Sequence, residues 1–406
     1  MKTAVIGGGA SGLMAAIAAA KNGAQVTIYE KMNKVGKKIL ATGNGRCNYT
    51  NMNLSFECYH SNNIKIAEDV MKFFDLRKTL NFFEDLGIQP YIDGSGKVYP
   101  NSLQASSILD VLRYEAQRLK IEEITDFNVT DLRKSKDKFS IIGDDTITAD
   151  RVILTTGGKA SPQLGSDGKG YEIAKSFGHD IIEPSPALVQ LKLSGKYFKR
   201  IAGIRFDGIA KAYVGDRLIR EEEGEILFTD YGISGPPILQ LSRKVIEELN
   251  NNRKPCLLID MFPKFSKVQL YDILQERFRK IGYKTMEDGL IGFINKKFIP
   301  VILSEAGFQD LNKLCGSLNK KEIFKIIDVL KEWKFLVTGH NSWQHAQSTA
   351  GGVKLTQVNP KTLESLKVKG LYFAGEILDV DGDCGGFNLQ WAWSSGYTAG
   401  HFCSIK

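Results

Sequence analysis

The apolar positions at the start of the chain follow a strand, helix, strand order. A short apolar run over residues 2–6 leads into three consecutive glycines. The Ala-rich segment after them consists of helix formers and ends at Gly23, which predicts a buried helix with a glycine C-cap. The β-branched run over residues 24–30 predicts a second strand. This order predicts a βαβ unit with two parallel strands.

Helical and strand patterns alternate through the next part of the chain. Residues 31–62 are rich in glycine and asparagine, which predicts a long loop. Apolar runs between residues 127 and 155 predict short strands, and the last of them is apolar throughout, as in a buried parallel strand. The predicted helices cover residues 64–74, 77–86 and 106–120.

The middle of the chain differs from both of its ends. β-like segments fill about residues 190–262, and helical patterns fill about residues 263–335. We therefore predict an α/β fold with a split domain built from residues 1–189 and 346–406. Residues 190–345 then form an insertion with a β part and a helical part.

Charge and cysteine content narrow the class of protein. The 406 residues include 54 Lys and Arg against 46 Asp and Glu, a net charge of +8, and the basic residues form no long run. This suits a basic groove for an anionic cofactor and makes nucleic acid an unexpected partner. The six cysteines form no CxxC pair, so neither a zinc ribbon nor a dithiol is indicated, and a reducing cytoplasm is the expected location. We expect no metal site and no membrane insertion, because the Ala-rich run is too short to span a bilayer.

The first chemical motif is a glycine-rich turn between the first strand and the first helix. Residues 7–12 read GGGASG, which fits the GxGxxG pattern. Gly7 permits the tight turn, Gly9 lets a pyrophosphate approach the backbone, and Gly12 lets helix and strand pack closely. The helix N-terminus then presents unpaired N–H groups to the phosphates. Glu30 ends the second strand, where a carboxylate accepts hydrogen bonds from ribose hydroxyls and disfavours a 2′-phosphate.

The C-terminal block favours FAD over NAD. Residues 370–376 (GLYFAGE) predict an apolar strand that ends in a small-residue turn and an acid. Residues 385–400 (GGFNLQWAWSSGYTAG) predict a glycine turn followed by an apolar helix. A strand and a helix that return from the far end of the chain suit a cofactor with a second large ring. A helix that begins near Asn388 can direct its N-terminus at the N1–C2=O edge of a flavin and stabilise the anionic reduced form.

The loop over residues 36–51 (GKKILATGNGRCNYTN) is a third candidate for cofactor binding. Its glycines and asparagines tolerate positive φ and expose backbone N–H groups. Lys38 and Arg46 add positive charge that suits a pyrophosphate. Cys47 lies in this loop and Cys384 in the C-terminal glycine turn, and a redox role for either stays open because no partner cysteine is adjacent.

A fourth candidate, residues 345–353 (HAQSTAGGV), precedes the C-terminal block. Thr349 and the Gly351–Gly352 pair can bring backbone close to a flat ring. His340 and His345 are the candidate catalytic residues, as proton donors or substrate ligands, and the alternative is that each histidine is structural.

Together these motifs resemble a known family of FAD-dependent oxidoreductases. It includes aminoacetone oxidase-like and 3-dehydro-bile acid Δ4,6-reductase-like flavoproteins, and fumarate-reductase-type flavoproteins are similar more distantly. The resemblance spans nearly the whole chain and is carried by GGGASGLMAA, GKKILATGNGRCNYTN, GKVYPNS, FTDYGISGPPIL, TAGGV and GLYFAGEILDVDGDCGGFNLQWAWSSG.

The resemblance implies a split Rossmann-like domain of the glutathione-reductase type, with residues 190–345 as an inserted substrate region. Together with the motifs, it also implies one set of FAD contacts. The predicted cofactor-binding residues are Gly7, Gly9, Ala10, Ser11, Gly12, Glu30, Lys31, Lys38, Asn44, Gly45, Arg46, Cys47, Asn48, Val129, Thr156, Gly157, Thr349, Gly351, Gly352, Gly375, Glu376, Asp379, Gly385, Gly386, Phe387, Asn388, Leu389 and Gln390.

The activity implied is hydride transfer between FAD and a small carbonyl, enone or amine substrate. NAD(P)H is the expected reductant and, because no second GxGxxG unit is visible, must bind transiently or in the inserted region. The alternatives are an FAD-dependent amine oxidase that uses O2, an FAD-dependent tRNA-modifying protein, and a flavin-binding regulatory protein without turnover.

Overall fold

The computed structural model describes residues 1–405 and contains two compact units. The split unit is formed by residues 1–187 together with the residues from 342 onward, and the inserted unit by residues 188–341.

The N-terminal part of the split unit alternates strands and helices. Its strands are β1 Lys2–Ile6, β2 Gln25–Tyr29, β3 Thr50–Asn51, β4 Tyr59–His60, β5 Pro90–Ile92, β6 Lys97–Pro100, β7 Glu122–Ile124, β8 Asp131–Ser135, β9 Lys138–Ile142, β10 Thr146–Ala149, β11 Arg151–Leu154 and β12 Ile181–Ala187. Its helices are α1 Ala10–Lys21, α2 Lys37–Ala41, α3 Ile64–Phe73, α4 Leu76–Asp85, α5 Ala105–Arg118 and α6 Lys169–Ser176.

The inserted unit combines a closed antiparallel barrel with helices. Its strands are β13 Leu191–Leu193, β14 Arg205–Val214, β15 Arg217–Thr229, β16 Gly232–Ser234, β17 Pro255–Asp260 and β18 Trp333–His340. Its helices are α7 Phe198–Ile201, α8 Pro236–Asn250, α9 Lys267–Lys280, α10 Met286–Gly289, α11 Ile299–Glu305 and α12 Lys320–Glu332. The strand order around the barrel is β13-β16-β15-β14-β17-β18.

Buried aromatic side chains form the core of the inserted unit. The ring of Phe228 lies 5.4 Å from that of Trp333 and 5.7 Å from that of Phe335, between centroids. Strand β18 closes the barrel because its residues alternate, with Trp333, Phe335 and Val337 buried and the residues between them exposed. Helix α12 ends at Glu332, directly before this period-two pattern begins.

The C-terminal part returns to the split unit with β19 Ser348–Val353, β20 Leu371–Phe373, β21 Asp381–Gly382 and α13 Phe387–Ser404. Strand β20 joins a five-stranded parallel sheet with the order β20-β11-β1-β2-β7. Both ends of the chain therefore build one sheet, and the carboxyl ends of its strands lie along one edge.

Helix α13 packs closely on α1 because two glycines of α13 lie at the contact. A Cβ at Gly396 would lie 2.5 Å from the carbonyl oxygen of Ser11, and one at Gly400 would lie 2.1 Å from that of Ala15. These distances leave no room for a side chain, so the C-terminal helix lies directly against the first helix.

The predicted fold class, a split Rossmann-like domain with an inserted β plus helical region, is confirmed. The predicted helices appear as α3, α4 and α5. One difference is α2, which lies inside the predicted loop 31–62 because the helix formers KKILA stand between glycine-rich stretches. Among residues 1–405, no helix is long and apolar enough to cross a membrane.

Candidate functional site

The three motif glycines in the turn after β1 differ in the space that a side chain would have. Gly7 has φ +103°, and a Cβ there would lie 2.6 Å from the carbonyl oxygen of Thr155. At Gly12 a Cβ would lie 1.9 Å from the carbonyl oxygen of Gly7, so helix and turn touch. At Gly9 a Cβ would meet no atom within 4 Å. The turn is therefore packed at its two outer glycines and open at the middle one.

Glu30 follows β2 and lies beside this turn. Its carboxylate is buried, and Oε2 accepts a hydrogen bond from the backbone N–H of Gly8 at 2.7 Å. Oε1 accepts one from the N–H of Met32 at 2.9 Å. Because each carboxylate oxygen has a second lone pair, the fixed side chain can still accept hydrogen bonds from ribose hydroxyls.

A cavity of about 180 Å³ lies at the carboxyl edge of the parallel sheet and includes the open space at Gly9. Thirteen of the predicted cofactor residues line it, and they are Gly7, Gly9, Ala10, Ser11, Glu30, Lys31, Lys38, Val129, Thr156, Gly157, Glu376, Asn388 and Leu389. Fifteen do not, and they are Gly12, Asn44, Gly45, Arg46, Cys47, Asn48, Thr349, Gly351, Gly352, Gly375, Asp379, Gly385, Gly386, Phe387 and Gln390.

The charged side chains of the cavity leave an excess of positive charge. Five lysines line it, at 31, 34, 37, 38 and 169, against the carboxylates of Glu30, Asp167 and Glu376. Lys31 pairs with Asp167 at 2.7 Å, and Lys38 pairs with Glu376 at 2.8 Å. The remaining net charge is two positive, which complements a pyrophosphate with one negative charge on each phosphate.

Some lining residues were not predicted from the sequence. They include Lys34, Lys37, Asn128, Ser166, Asp167, Lys169 and Gln347. The four lysines of KMNKVGKK, immediately after Glu30, were an available signal for Lys34 and Lys37. Asp167 had no such signal, because its contact with Lys31 joins segments far apart in the chain.

One buried polar atom of the cavity has no partner within the protein. The hydroxyl of Thr156 lines the cavity and makes no hydrogen bond with the residues that the structure describes. A buried hydroxyl without a partner is costly, and native proteins usually satisfy such groups with water or a ligand.

The start of α13 borders the cavity through Asn388 and Leu389. Asn388 is held on both sides of its amide. Its Oδ1 accepts hydrogen bonds from the Gly382 N–H at 2.9 Å and from the Ser348 hydroxyl at 3.0 Å, and its Nδ2 donates to the Gly382 carbonyl at 2.7 Å. This bonding fixes the glycine turn that delivers the helix N-terminus to the cavity.

Residues 349–352 do not line the cavity, but Thr349 contacts Glu376, which does. The Thr349 hydroxyl accepts hydrogen bonds from the N–H groups of Lys159 and Ala160 at 2.8 and 3.0 Å, and its own N–H donates to Glu376 Oε1 at 2.8 Å. A Cβ at Gly351 would lie 2.7 Å from the carbonyl oxygen of Glu183. One at Gly352 would lie 2.6 Å from that of Ile377, so close backbone packing requires both glycines.

The predicted loop 36–51 divides between the cavity and the surface. Lys38 reaches the cavity, whereas Arg46 is exposed and lies over the ring of Tyr99, 5.0 Å from its centroid. Cys47 is fully buried, and burial raises the pKa of its thiol to about 12. Burial also raises the pKa of Cys384. Neither thiol is activated as a nucleophile.

Neither candidate histidine lines the cavity. His345 is exposed and belongs to the split unit. His340 ends β18 of the inserted unit, with Nδ1 2.7 Å from the carbonyl oxygen of Asn341. A catalytic role for either residue stays a prediction.

Residues 1–402 match the model of the family described as HI0933-like protein Rossmann domain. A 3-dehydro-bile acid Δ(4,6)-reductase of Clostridium scindens is 42% identical over 98% of this chain and 97% of its own length. A ribosomal RNA dihydrouridine synthase of Haemophilus influenzae is 29% identical over 97% of this chain and 96% of its own length.

Among solved structures, a 3-ketosteroid Δ1-dehydrogenase of Sterolibacterium denitrificans in complex with 1,4-androstadiene-3,17-dione matches with a TM-score of 0.52. The match covers 99% of each chain at 11% sequence identity. At this identity the likeness concerns the fold alone.

Proposed function

This chain belongs to the HI0933-like protein Rossmann domain family, as its motifs predicted, and we propose that it is an FAD-dependent oxidoreductase that reduces a carbon–carbon double bond conjugated to a carbonyl group. The observation that carries the proposal is the cavity at the carboxyl edge of the sheet, where the open glycine turn, Glu30 and the surplus lysines meet.

The residues present fit FAD. Gly9 leaves room for the pyrophosphate, Glu30 offers its remaining lone pairs to the ribose, and the Thr156 hydroxyl offers a hydrogen bond that no protein group takes. The N-terminus of α13, fixed through Asn388, stabilises negative charge where it borders the cavity. When bound, FAD supplies the transfer of a hydride equivalent from NAD(P)H to the substrate.

The names of the relatives support the choice of a conjugated alkene. The C. scindens relative is named a Δ(4,6)-reductase of a 3-dehydro bile acid, and the H. influenzae relative a dihydrouridine synthase. Saturating an alkene in conjugation with a 3-oxo group, and saturating the pyrimidine double bond of uridine, are one reaction class. Each adds a hydride to the β-carbon and a proton to the α-carbon.

Anaerobic stopped-flow spectroscopy tests the proposal. We expect NADH or NADPH to bleach the bound flavin, and a 3-oxo-4,6-diene bile acid to restore its colour faster than O2 does. The saturated 3-oxo analogue, which lacks the double bond, is the control and should restore nothing. A flavin that neither nicotinamide reduces, or that only O2 reoxidises, would overturn the reductase proposal and favour an oxidase.

A second candidate substrate is a uracil base within RNA. Two observations favour it, the full-length similarity to a ribosomal RNA dihydrouridine synthase and the concentration of positive charge in the inserted unit. The test is the dihydrouridine content of ribosomal RNA from cells with and without the gene. Loss of a dihydrouridine in the deletion, restored by the intact gene, would support RNA, and identical content would exclude it.

A further inference from the structure

The net charge of the chain is concentrated in one of its two units. Residues 188–341 contain 26 Lys and Arg against 19 Asp and Glu, a net charge of +7 out of the +8 of the whole chain. The split unit, which holds the cavity, is therefore nearly neutral. A charge excess of this kind acts on anionic partners through its field at the surface.

Part of this excess lies in a stretch that contains no acid. Residues 188–204 include four exposed basic side chains, Lys192, Lys196, Lys199 and Arg200, and no Asp or Glu. Other basic side chains of the inserted unit are neutralised, as where Lys331 pairs with Asp260 and where Arg253 pairs with Glu248. None of the four is within ion-pair distance of a carboxylate in the described structure, so their charge faces solvent.

The barrel brings a fifth cation to the same surface. Strand β13 pairs with β18, with Lys192 opposite Gly339, and the N–H of Ser194 donates to the carbonyl oxygen of Leu336. Tyr197 stacks on Trp333 with ring centroids 5.9 Å apart, which places Lys196 near the start of β18. Lys334 is exposed there, between buried neighbours. We call Lys192, Lys196, Lys199, Arg200 and Lys334 the basic strip.

The strip is too long for one small anion. Gly339, the partner of Lys192, and Lys334 are separated by five residues of β18, or roughly 17 Å at the rise of a β-strand. Along the axis of a double helix each strand places a phosphate about every 3.4 Å, so the strip is long enough to contact several phosphates of one strand. Its single large exposed apolar side chain is Leu336, whereas a membrane-binding surface inserts a row of them.

We propose that the basic strip binds the phosphate backbone of RNA. Lysine and arginine side chains without a carboxylate partner form such contacts by releasing the counterions of the phosphates. The strip is independent of the flavin chemistry, and its use in holding a uracil for reduction rests on the proposed function. Over the whole chain the basic residues form no long run, and their excess becomes visible only when the two units are counted separately.

Salt-dependent binding of a labelled single-stranded RNA to the holoprotein tests the proposal. Contacts of Lys192, Lys196, Lys199 and Arg200 with single-stranded RNA should contribute about −3 to the slope of log K against log salt, or about 50-fold in affinity between 50 and 200 mM salt. The variant K192Q/K196Q/K199Q/R200Q should lose this part of the slope. Its matched control is K65Q/K136Q/K175Q/K361Q, which removes four exposed lysines from the split unit and should bind as the unaltered protein does.

Equal loss in both quadruple variants would overturn the proposal, since it would reflect net charge and not the strip. Binding to phosphatidylserine vesicles with no binding to RNA would assign the surface to membranes and also overturn it. Flavin reduction by NAD(P)H should be unchanged in the strip variant. If RNA binds through the strip but no uracil is reduced, the proposed RNA-binding surface is supported and the proposal of a uracil substrate is refuted.

Discussion

Replacing Gly9 and Gly12 one at a time with alanine separates cofactor binding from folding within one motif. The chemical change is identical, because each variant gains a single methyl group. At Gly12 the new Cβ would lie 1.9 Å from the carbonyl oxygen of Gly7, inside the protein. At Gly9 it would meet nothing within 4 Å and would project into space that borders the cavity.

The structure sets the size of both effects. Overpacking of the kind expected at Gly12 costs about 1–3 kcal/mol and more where only backbone atoms can move. Gly9 is the N-cap of α1 in an extended conformation open to alanine, so the fold should lose at most about 1 kcal/mol. A methyl group that displaces one charge-assisted phosphate contact removes about 1.5–3 kcal/mol of binding. The dissociation constant of FAD should rise about 10- to 150-fold.

Two measurements on flavin-free protein resolve the pair. Thermal unfolding should give Gly9→Ala a Tm close to that of the unaltered protein and Gly12→Ala a clearly lower one. Titration with FAD should show weakened binding in Gly9→Ala at its unchanged Tm. FAD affinity unaltered in Gly9→Ala would refute the reasoning, because the pyrophosphate would then lie away from the glycine turn.

Three further predictions concern single side chains. Glu30→Gln should raise the dissociation constant of FAD about tenfold or more in the same titration, because a charged hydrogen-bond acceptor is lost. The control Glu172→Gln, at an exposed position, should leave that dissociation constant unchanged. Burial lowers the pKa of His179 from 6.5 to about 4. Between these pH values the unfolded chain binds a proton that the folded protein does not, so the free energy of unfolding falls as the pH drops through that window. Urea unfolding of His179→Gln should show a weaker pH dependence over this range, and an unchanged dependence would mean that other groups cause it. Burial raises the pKa of Cys47 to about 12, so native protein at neutral pH should leave this thiol unmodified by iodoacetamide, and peptide mass spectrometry that finds rapid labelling would contradict the assignment.

The sequence was most informative where the structural requirement is local. The strand, glycine turn and helix over residues 2–21 follow from a few neighbouring residues, because the turn admits little besides glycine. The helix at 76–85 is equally local, since the Asp75 carboxylate accepts a hydrogen bond from the Lys78 N–H and caps its N-terminus. Such signals need no knowledge of the distant chain.

Sequence reasoning failed to reach contacts between distant segments. The closing barrel strand β18 starts directly after α12, and its pairing with β13 joins residues more than 140 positions apart. The pair of Lys31 and Asp167 brings an unpredicted segment to the cavity in the same way. Gly351 also packs against β12, a contact that no local pattern reveals, and its place beside a flavin ring stays a prediction.

Glu376 links residues that do not line the cavity to residues that do. Its Oε2 accepts a hydrogen bond from Lys38 and its Oε1 accepts one from the N–H of Thr349, so one carboxylate joins three segments of the chain. Thr349 in turn holds the N–H groups of Lys159 and Ala160, next to the glycines that follow β11. Because a cofactor that bridges both ends of the chain needs these segments in one fixed arrangement, we expect Thr349 to act by fixing the cavity walls. Its substitution should therefore weaken cofactor binding through the geometry of its neighbours, without loss of a direct contact.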